Sequence, residues 1–269
     1  MQIGLCAAIG QLGGVDLRSL DYLEPPVGAT LVPGAGGAAF AEQAAALARL
    51  GIKAEVANFF LPGELKTTGP AVDQPRLDRY VRTAFERAAR LGIGVIVFGS
   101  GASRKVPEGF AQTLALEQLA DHLRRWAPWA QQAGIRLAVE ALNRRECNII
   151  NSLDEAAELI RRADLPAGAN GGRRTDGLPV VGIVVDTYHM AIEGESPSVI
   201  ARHADLILHA HCADQVGRVP LGLGPSDHRP YFAALRSAGY DGRVSIEANW
   251  QDLGTQLQPA VTALLGQFR

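Results

Sequence analysis

Four ionisable side chains of metal-binding type stand at the ends of apolar runs in this chain. Glu140 follows Ile135-Arg-Leu-Ala-Val139, Asp186 follows Val181-Gly-Ile-Val-Val185, His211 follows Leu206-Ile-Leu-His-Ala210, and Glu247 follows Arg243-Val-Ser-Ile246. Each run reads as a buried strand, so each delivers one ionisable group where the strand stops. Such a group needs a partner, a proton or a cation. A lone carboxylate at a strand end is more often a helix cap or salt-bridge partner, and a lone core histidine is more often structural. Four in succession point instead to one shared site. Two glutamates, an aspartate and an imidazole make an oxygen-rich donor set that suits Mn²⁺ first, with Mg²⁺, Co²⁺, Fe²⁺ or Zn²⁺ as alternatives. In an octahedral shell such a set leaves room for two adjacent oxygens of a hydroxy-ketone.

To bring four strand ends to one point, the strands must share a rim. Earlier β-like runs at Gln2–Ala8, Leu20–Glu24, Ile52–Ala57 and Gly94–Phe98 precede those four, and helical patterns alternate with them. The helices are expected at Phe40–Leu50, Arg76–Leu91 (Pro75 at its start, Gly92 past its end), Gln112–Gln132, Ser152–Ala163, Ser196–His203, His228–Ala238 and Thr255–Phe268. Pro128 should kink or divide the fourth-strand-to-fifth-strand helix, and Ser152 with Glu155 forms a capping box. Eight strands alternating with helices, without a compositional break, predict a single (β/α)8 TIM barrel over residues 1–269, with a short first crossover at Gly10–Ser19. An open doubly wound sheet is the alternative. It would call for a phosphate-binding fingerprint, and Pro33-Gly-Ala-Gly-Gly37 lacks the spacing.

The 269 residues are 47% hydrophobic and carry a formal net charge of −2, which leaves no basic footprint for nucleic acid or a membrane surface. The Met1–Ile9 stretch has neither a basic start nor enough apolar length for export or a span. Three cysteines without paired spacing fit a reducing, cytoplasmic setting. Cys212 should point away from His211 into the core. The segment from Pro166 to Pro179 looks inserted between a helix and the next strand, at the N-terminal face of a barrel, with Arg173 and Arg174 as solvated loop charges.

These residues bring a family into view. Glu140-Ala-Leu-Asn-Arg-Arg-Glu146, Asp186-Thr-Tyr-His-Met-Ala-Ile-Glu193, His209-Ala-His211 with Arg218-Val-Pro-Leu-Gly-Leu-Gly224, and Tyr240-Asp-Gly-Arg-Val-Ser-Ile-Glu247 resemble, in order, the motifs of the ketose 3-epimerases, within the xylose isomerase-like barrel superfamily. The resemblance covers the second half of the chain; the first half matches only in its strand–helix rhythm. It implies that Glu140, Asp186, His211 and Glu247 hold a divalent metal, and that Glu140 and Glu247 are the acid/base pair on opposite faces of a ketose or keto-polyol. A cation bridging a ketone and its neighbouring hydroxyl acidifies the C–H between them, and a cis-enediolate follows. By the same matching Glu146, His189 and Arg218 bind substrate hydroxyls or the developing oxyanion; separately, Glu24 is a weaker candidate contact because it ends the second strand. Phe59, Phe60, Phe98 and Trp250 lie where they could wall a pocket or simply pack. Departures fall at Ala141 and Ala248, where the epimerases usually carry proline, at the loop Gly99–Pro107, and at a one-residue insertion before Arg218.

The expected activity is therefore a metal-dependent sugar isomerase or epimerase acting on a small, non-phosphorylated carbohydrate, since Trp250-Gln-Asp-Leu-Gly254 supplies no basic partner for a phosphate. A lyase or dehydratase of a keto-sugar or inosose on the same site is the alternative. An endonuclease IV-type nuclease is a remote one, because it needs many histidine ligands, and of the six histidines His122, His203 and His228 fall on helices or their starts. A non-catalytic sugar-binding subunit is disfavoured by the intact carboxylate pair. Alanine-rich helix faces allow a homo-oligomer and leave the oligomeric state open.

Overall fold

Eight parallel strands follow the apolar runs in the computed structural model, which describes residues 1–165 and 177–268. They are β1 (Gln2–Cys6), β2 (Tyr22–Glu24), β3 (Val56–Ala57), β4 (Val95–Phe98), β5 (Arg136–Glu140), β6 (Val181–Asp186), β7 (Ile207–Cys212) and β8 (Arg243–Ile246). They pair in the order β2-β1-β8-β7-β6-β5-β4-β3. Single bridges, Leu23 with Ala54 and Pro26 with Asn58, join the two ends into a nearly closed barrel. The third strand is thus shorter than the expected Ile52–Ala57, because closure at this seam rests on isolated bridges rather than a ladder. This is the (β/α)8 barrel expected from the alternation.

The helices are α1 (Val27–Thr30), α2 (Gly37–Arg49), α3 (Gln74–Leu91), α4 (Gly101–Arg104), α5 (Gln112–Ala133), α6 (Leu153–Arg162), α7 (Thr187–Glu193), α8 (Arg229–Ser237) and α9 (Leu253–Gln267). Their ends carry the expected chemistry. Ser152 accepts a hydrogen bond from the Glu155 amide, and Gly92 and Gly134 close their helices in the left-handed conformation. Pro128 does not divide α5; the helix runs through it. Burial of Leu123, Trp126, Ala127 and Ala130 on one face offsets the lost backbone bond. The segment expected as a helix at Ser196–His203 is instead a 3-10 stretch, Pro197–Leu206, broken by non-helical angles at His203. The first crossover holds only a short 3-10 turn, Ile9–Gln11. Most of the inserted segment, with Arg173 and Arg174, lies outside the described residues.

Strand alternation creates two cores. A large one fills the space between strands and helices, and a small one, made of Tyr22, Val56, Val95, Val97, Ala138, Val184 and Leu208, fills the barrel interior. Cys212 belongs to the first. The second matters for position: Ala138 and Val184 lie two residues before Glu140 and Asp186, so both carboxylates project inward above a packed floor. No helix of the described residues is long and apolar enough to cross a membrane.

Candidate active site

The C-terminal ends of β5 to β8 bring Glu140, Asp186, His211 and Glu247 together. One ligand atom from each lies within 4.8 Å of the others. His211 Nδ1 stands 2.9 Å from Glu140 Oε1, 3.4 Å from Glu247 Oε2 and 4.0 Å from Asp186 Oδ2. Asp186 does two jobs. Its Oδ1 accepts from the amides of Tyr188 (2.7 Å) and His189 (3.3 Å), capping α7 and leaving Oδ2 to face the histidine. Glu140 reaches its place because Gly99 has no side chain: a Cβ there would stand 2.1 Å from Glu140 Oε2.

Beneath this set lies a buried support. His211 Nε2 donates to Glu24 Oε1 at 2.8 Å, and His209 Nε2 donates to Glu24 Oε2 at 2.7 Å. Ser245 donates to the same oxygen at 2.5 Å and stands 2.8 Å from the Tyr22 hydroxyl. Glu24 is fully buried, and both its oxygens are engaged below the rim. It is therefore not placed as the substrate contact expected from sequence; it orients the imidazole so that Nδ1 points at the three carboxylates. Cys6, Glu24 and His211 also lie within 4.8 Å of one another. Burial, and then the Glu24 charge, push the Cys6 thiol well up, so it stays protonated beside an already paired histidine.

The electrostatics follow from crowding. Burial raises the Glu140 carboxyl; the His211 charge opposes this, but Glu247 and Asp186 add to the rise, and the net shift is upward. Asp186 is also buried, yet His189, His211 and Arg218 outweigh that and lower it. For His211 the desolvation cost is outweighed by Glu24, Cys6, Glu247 and Glu140, and its affinity for a proton is raised well above the ordinary value. Three carboxylates converging on one imidazole, of which Glu247 pairs with Arg218, make a donor set that fits a divalent cation.

Above the set opens a cavity of about 510 Å³. Glu140 and Glu247 reach it, as do Glu146, His189 and Arg218. Arg218 donates to Glu247 Oε2 at 2.6 Å, lies 3.4 Å from Glu146, and stacks on Tyr188 with its guanidinium carbon 4.6 Å from the ring centre. His189 Nδ1 accepts from the Asn143 backbone amide (3.2 Å) and the Asn143 side-chain amide (2.8 Å). An amide can only donate, so the ring proton sits on Nε2, which lies 3.6 Å from Asp186 Oδ2 and has no hydrogen-bond partner among the described residues. Asn143 also donates to Glu146 at 2.9 Å. Of the expected aromatics, Phe59 lines this cavity and Trp250 an adjoining one, whereas Phe60 and Phe98 pack with Trp126 in the core.

Sequence reasoning missed His209, Asn143 and Gly99 as parts of the site. His209 carried a signal, since residues two apart on a strand share a face. Asn143 lay inside a recognised motif without a role. The short helix α7 was missed too, although Asp186 followed by two amides within reach is an N-cap signal.

Residues 19–265 match the family described as Xylose isomerase-like TIM barrel. A ketose 3-epimerase from Arthrobacter globiformis is 29% identical over 210 residues, which is 77% of this chain and 65% of the relative. A 3-dehydro-D-guloside 4-epimerase from Escherichia coli K12 is 31% identical over 132 residues, 49% of this chain and 45% of the relative. The chain thus spans less than two thirds of the length of these curated relatives. Among solved structures, a D-psicose 3-epimerase from Clostridium cellulolyticum H10, with D-tagatose, shares the fold with a TM-score of 0.77 at 19% identity, covering 99% of this chain and 98% of that one.

Proposed function

From the premise that this chain belongs to the xylose isomerase-like TIM barrel family, we propose that it is a metal-dependent epimerase or isomerase of a ketose or keto-polyol. The observation that carries the reading is the convergence of Glu140, Asp186, His211 and Glu247 at the floor of a cavity that two of them, Glu140 and Glu247, also face. These four would hold the cation, with Mn²⁺ favoured by the oxygen-rich donors. A divalent ion there would supply Lewis-acid polarisation of a carbonyl and its neighbouring hydroxyl. The remaining chemistry belongs to the chain. One of Glu140 and Glu247 removes the proton on the carbon between those oxygens, and the other returns one to the opposite face, inverting the centre. The Nε2–H of His189, held in that tautomer by Asn143, donates to a substrate oxygen as charge develops there. Arg218 and Glu146 hold neighbouring hydroxyls, and the Arg218–Glu247 pair keeps the carboxylate turned toward the cavity.

The test is to load the protein with Mn²⁺ and incubate it with a panel of ketoses in D₂O, following the products by NMR. Epimerisation puts deuterium on the inverted carbon and forms no dehydrated product. A dehydrated or cleaved product supports the lyase reading instead. Full turnover by Glu247→Gln would sink the two-carboxylate mechanism.

A further inference from the structure

Part of the cavity lining is built in a way that the acid/base chemistry does not use. Asn58 is 2% exposed, yet its side-chain Oδ1 has no hydrogen-bond partner among the described residues, and it lines both the main cavity and an adjoining one of about 210 Å³. The Tyr80 hydroxyl, also without a partner, lines the main cavity. Between these cavities Phe59 is 61% exposed and holds a left-handed backbone (φ 47°), a conformation that is strained for an aromatic residue. Ser100 (φ 42°) and Arg218 (φ 52°), which line the same main cavity, are strained in the same way, so three of the six positive-φ residues other than glycine among the described residues lie around one space. Strain of this kind collects where a ligand is gripped. Unpartnered buried polar atoms collect where a ligand completes them.

We infer that Asn58, Phe59 and Tyr80 form a second sugar subsite, and that the substrate is accordingly a keto-glycoside whose second ring lies on Phe59 while the ring to be altered sits at the carboxylates. This rests on the proposed function and specifies its substrate class. The chemistry selects a sugar over other appendages. Asn58 Oδ1 can only accept, so it needs an O–H or N–H, and a hydrocarbon aglycone would leave it and Tyr80 unmet. A phosphorylated or nucleotide appendage would call for cations, and among the described residues Arg218 is the one Lys or Arg side chain lining either cavity, already paired with Glu247 and Glu146. A pyranose meets both demands: its hydroxyls serve Asn58 and Tyr80, and its C–H face stacks on the electron-rich face of Phe59. The main cavity alone falls within the ~300–1,000 Å³ typical of drug-sized ligands, ample for more than a single ring.

The experiment is calorimetric binding to the Mn²⁺-loaded protein of an unreactive disaccharide, cellobiose or maltose, against methyl glucoside. The disaccharide is expected to bind about ten-fold tighter or more, as one good stacking contact would give. Phe59→Gly, which also relieves the left-handed strain and so protects the fold, and Asn58→Leu should each collapse that ratio to about two-fold or less. Equal binding of the two sugars, failure of either to bind, or a ratio untouched by Phe59→Gly overturns the inference. Deuterium exchange on free ketoses reads the parent proposal separately. Exchange with no disaccharide preference removes only the subsite, whereas a Phe59-dependent preference without exchange on any free or glycosylated ketose removes the reaction and keeps the subsite.

Discussion

Gly99→Ala is a small change with a calculable consequence at the candidate metal set. The added Cβ would stand 2.1 Å from Glu140 Oε2 and 3.3 Å from its Cδ, where ordinary contact begins near 3.4 Å. The carboxylate must therefore retreat by about 1 Å, against a tolerance of about 0.2 Å in a metal–ligand distance. The cost to the fold is small, because Gly99 is not among the left-handed residues and the group it meets is the free end of a side chain. The expected result is a thermal midpoint for the metal-free variant corresponding to a stability change of about 0.5 kcal/mol or less. Function should suffer far more: a misplacement of about 1 Å costs on the order of 100-fold, or about 2.7 kcal/mol of transition-state stabilisation. Mn²⁺ affinity, measured by competition with a fluorescent chelator, should fall alongside deuterium exchange into substrate. If G99A binds Mn²⁺ and exchanges deuterium like the parent, Glu140 is not held where the structure has it, and the reasoning fails.

Three further outcomes are expected. Glu24→Gln should weaken Mn²⁺ binding by about 10–100-fold, because it removes the charge that orients His211; unchanged affinity would make Glu24 a mere packing group. In the metal-free chain His211 holds its proton more tightly than an ordinary imidazole, since despite burial its proton affinity is raised well above the ordinary value by Glu24 and then Cys6, Glu247 and Glu140. A cation must displace that proton, so apparent affinity rises with pH, and calorimetry at pH 7 in two buffers of different ionisation enthalpy should show proton release; none would contradict this. Burial lifts Glu195 to about 7 from an ordinary 4.5, while its carboxylate accepts from the Leu153 amide at 3.0 Å. Its stabilising contribution is complete below 4.5 and lost as pH rises through 7. Glu195→Gln keeps the acceptor and should raise the melting temperature at pH 8, by at most about 1 kcal/mol given its partial exposure, with no difference at pH 4.

The barrel was legible because its signal is repeated and local. Near-continuous apolar runs such as Val181–Val185 mark strands covered on both faces, and eight of them separated by capped helices leave few architectures. Where the signal was single it failed. Ile52–Ala57 reads as a full strand, but only Val56–Ala57 pairs in a ladder, because pairing across the β2–β3 seam depends on how the barrel closes rather than on the run itself. Pro128 is a strong helix breaker in isolation, and only the buried face of α5 shows why it is overruled.

The site divides along the same line. Glu140, Asp186, His211 and Glu247 announce themselves because each interrupts an apolar pattern, and their meeting requires nothing beyond strand alternation and a common rim. Glu24 interrupts a pattern too, at the end of β2, yet it lies under the site rather than in it. What separates the two outcomes is the partner: Glu24 faces two histidines on β7 that consume both of its oxygens, while Glu140 and Glu247 face a cavity. No one-dimensional pattern carries that distinction. The rest of the cavity lining is harder still, since Phe59, Ser100 and Arg218 matter through backbone angles that break local preference, and Asn58 through a bond it lacks. A chain tolerates such defects only where its surroundings impose them or a ligand repairs them. The proposed reaction therefore rests on residue types and the proposed substrate on departures from them, which is why the former is read from the sequence and the latter has to be sought in the cavity.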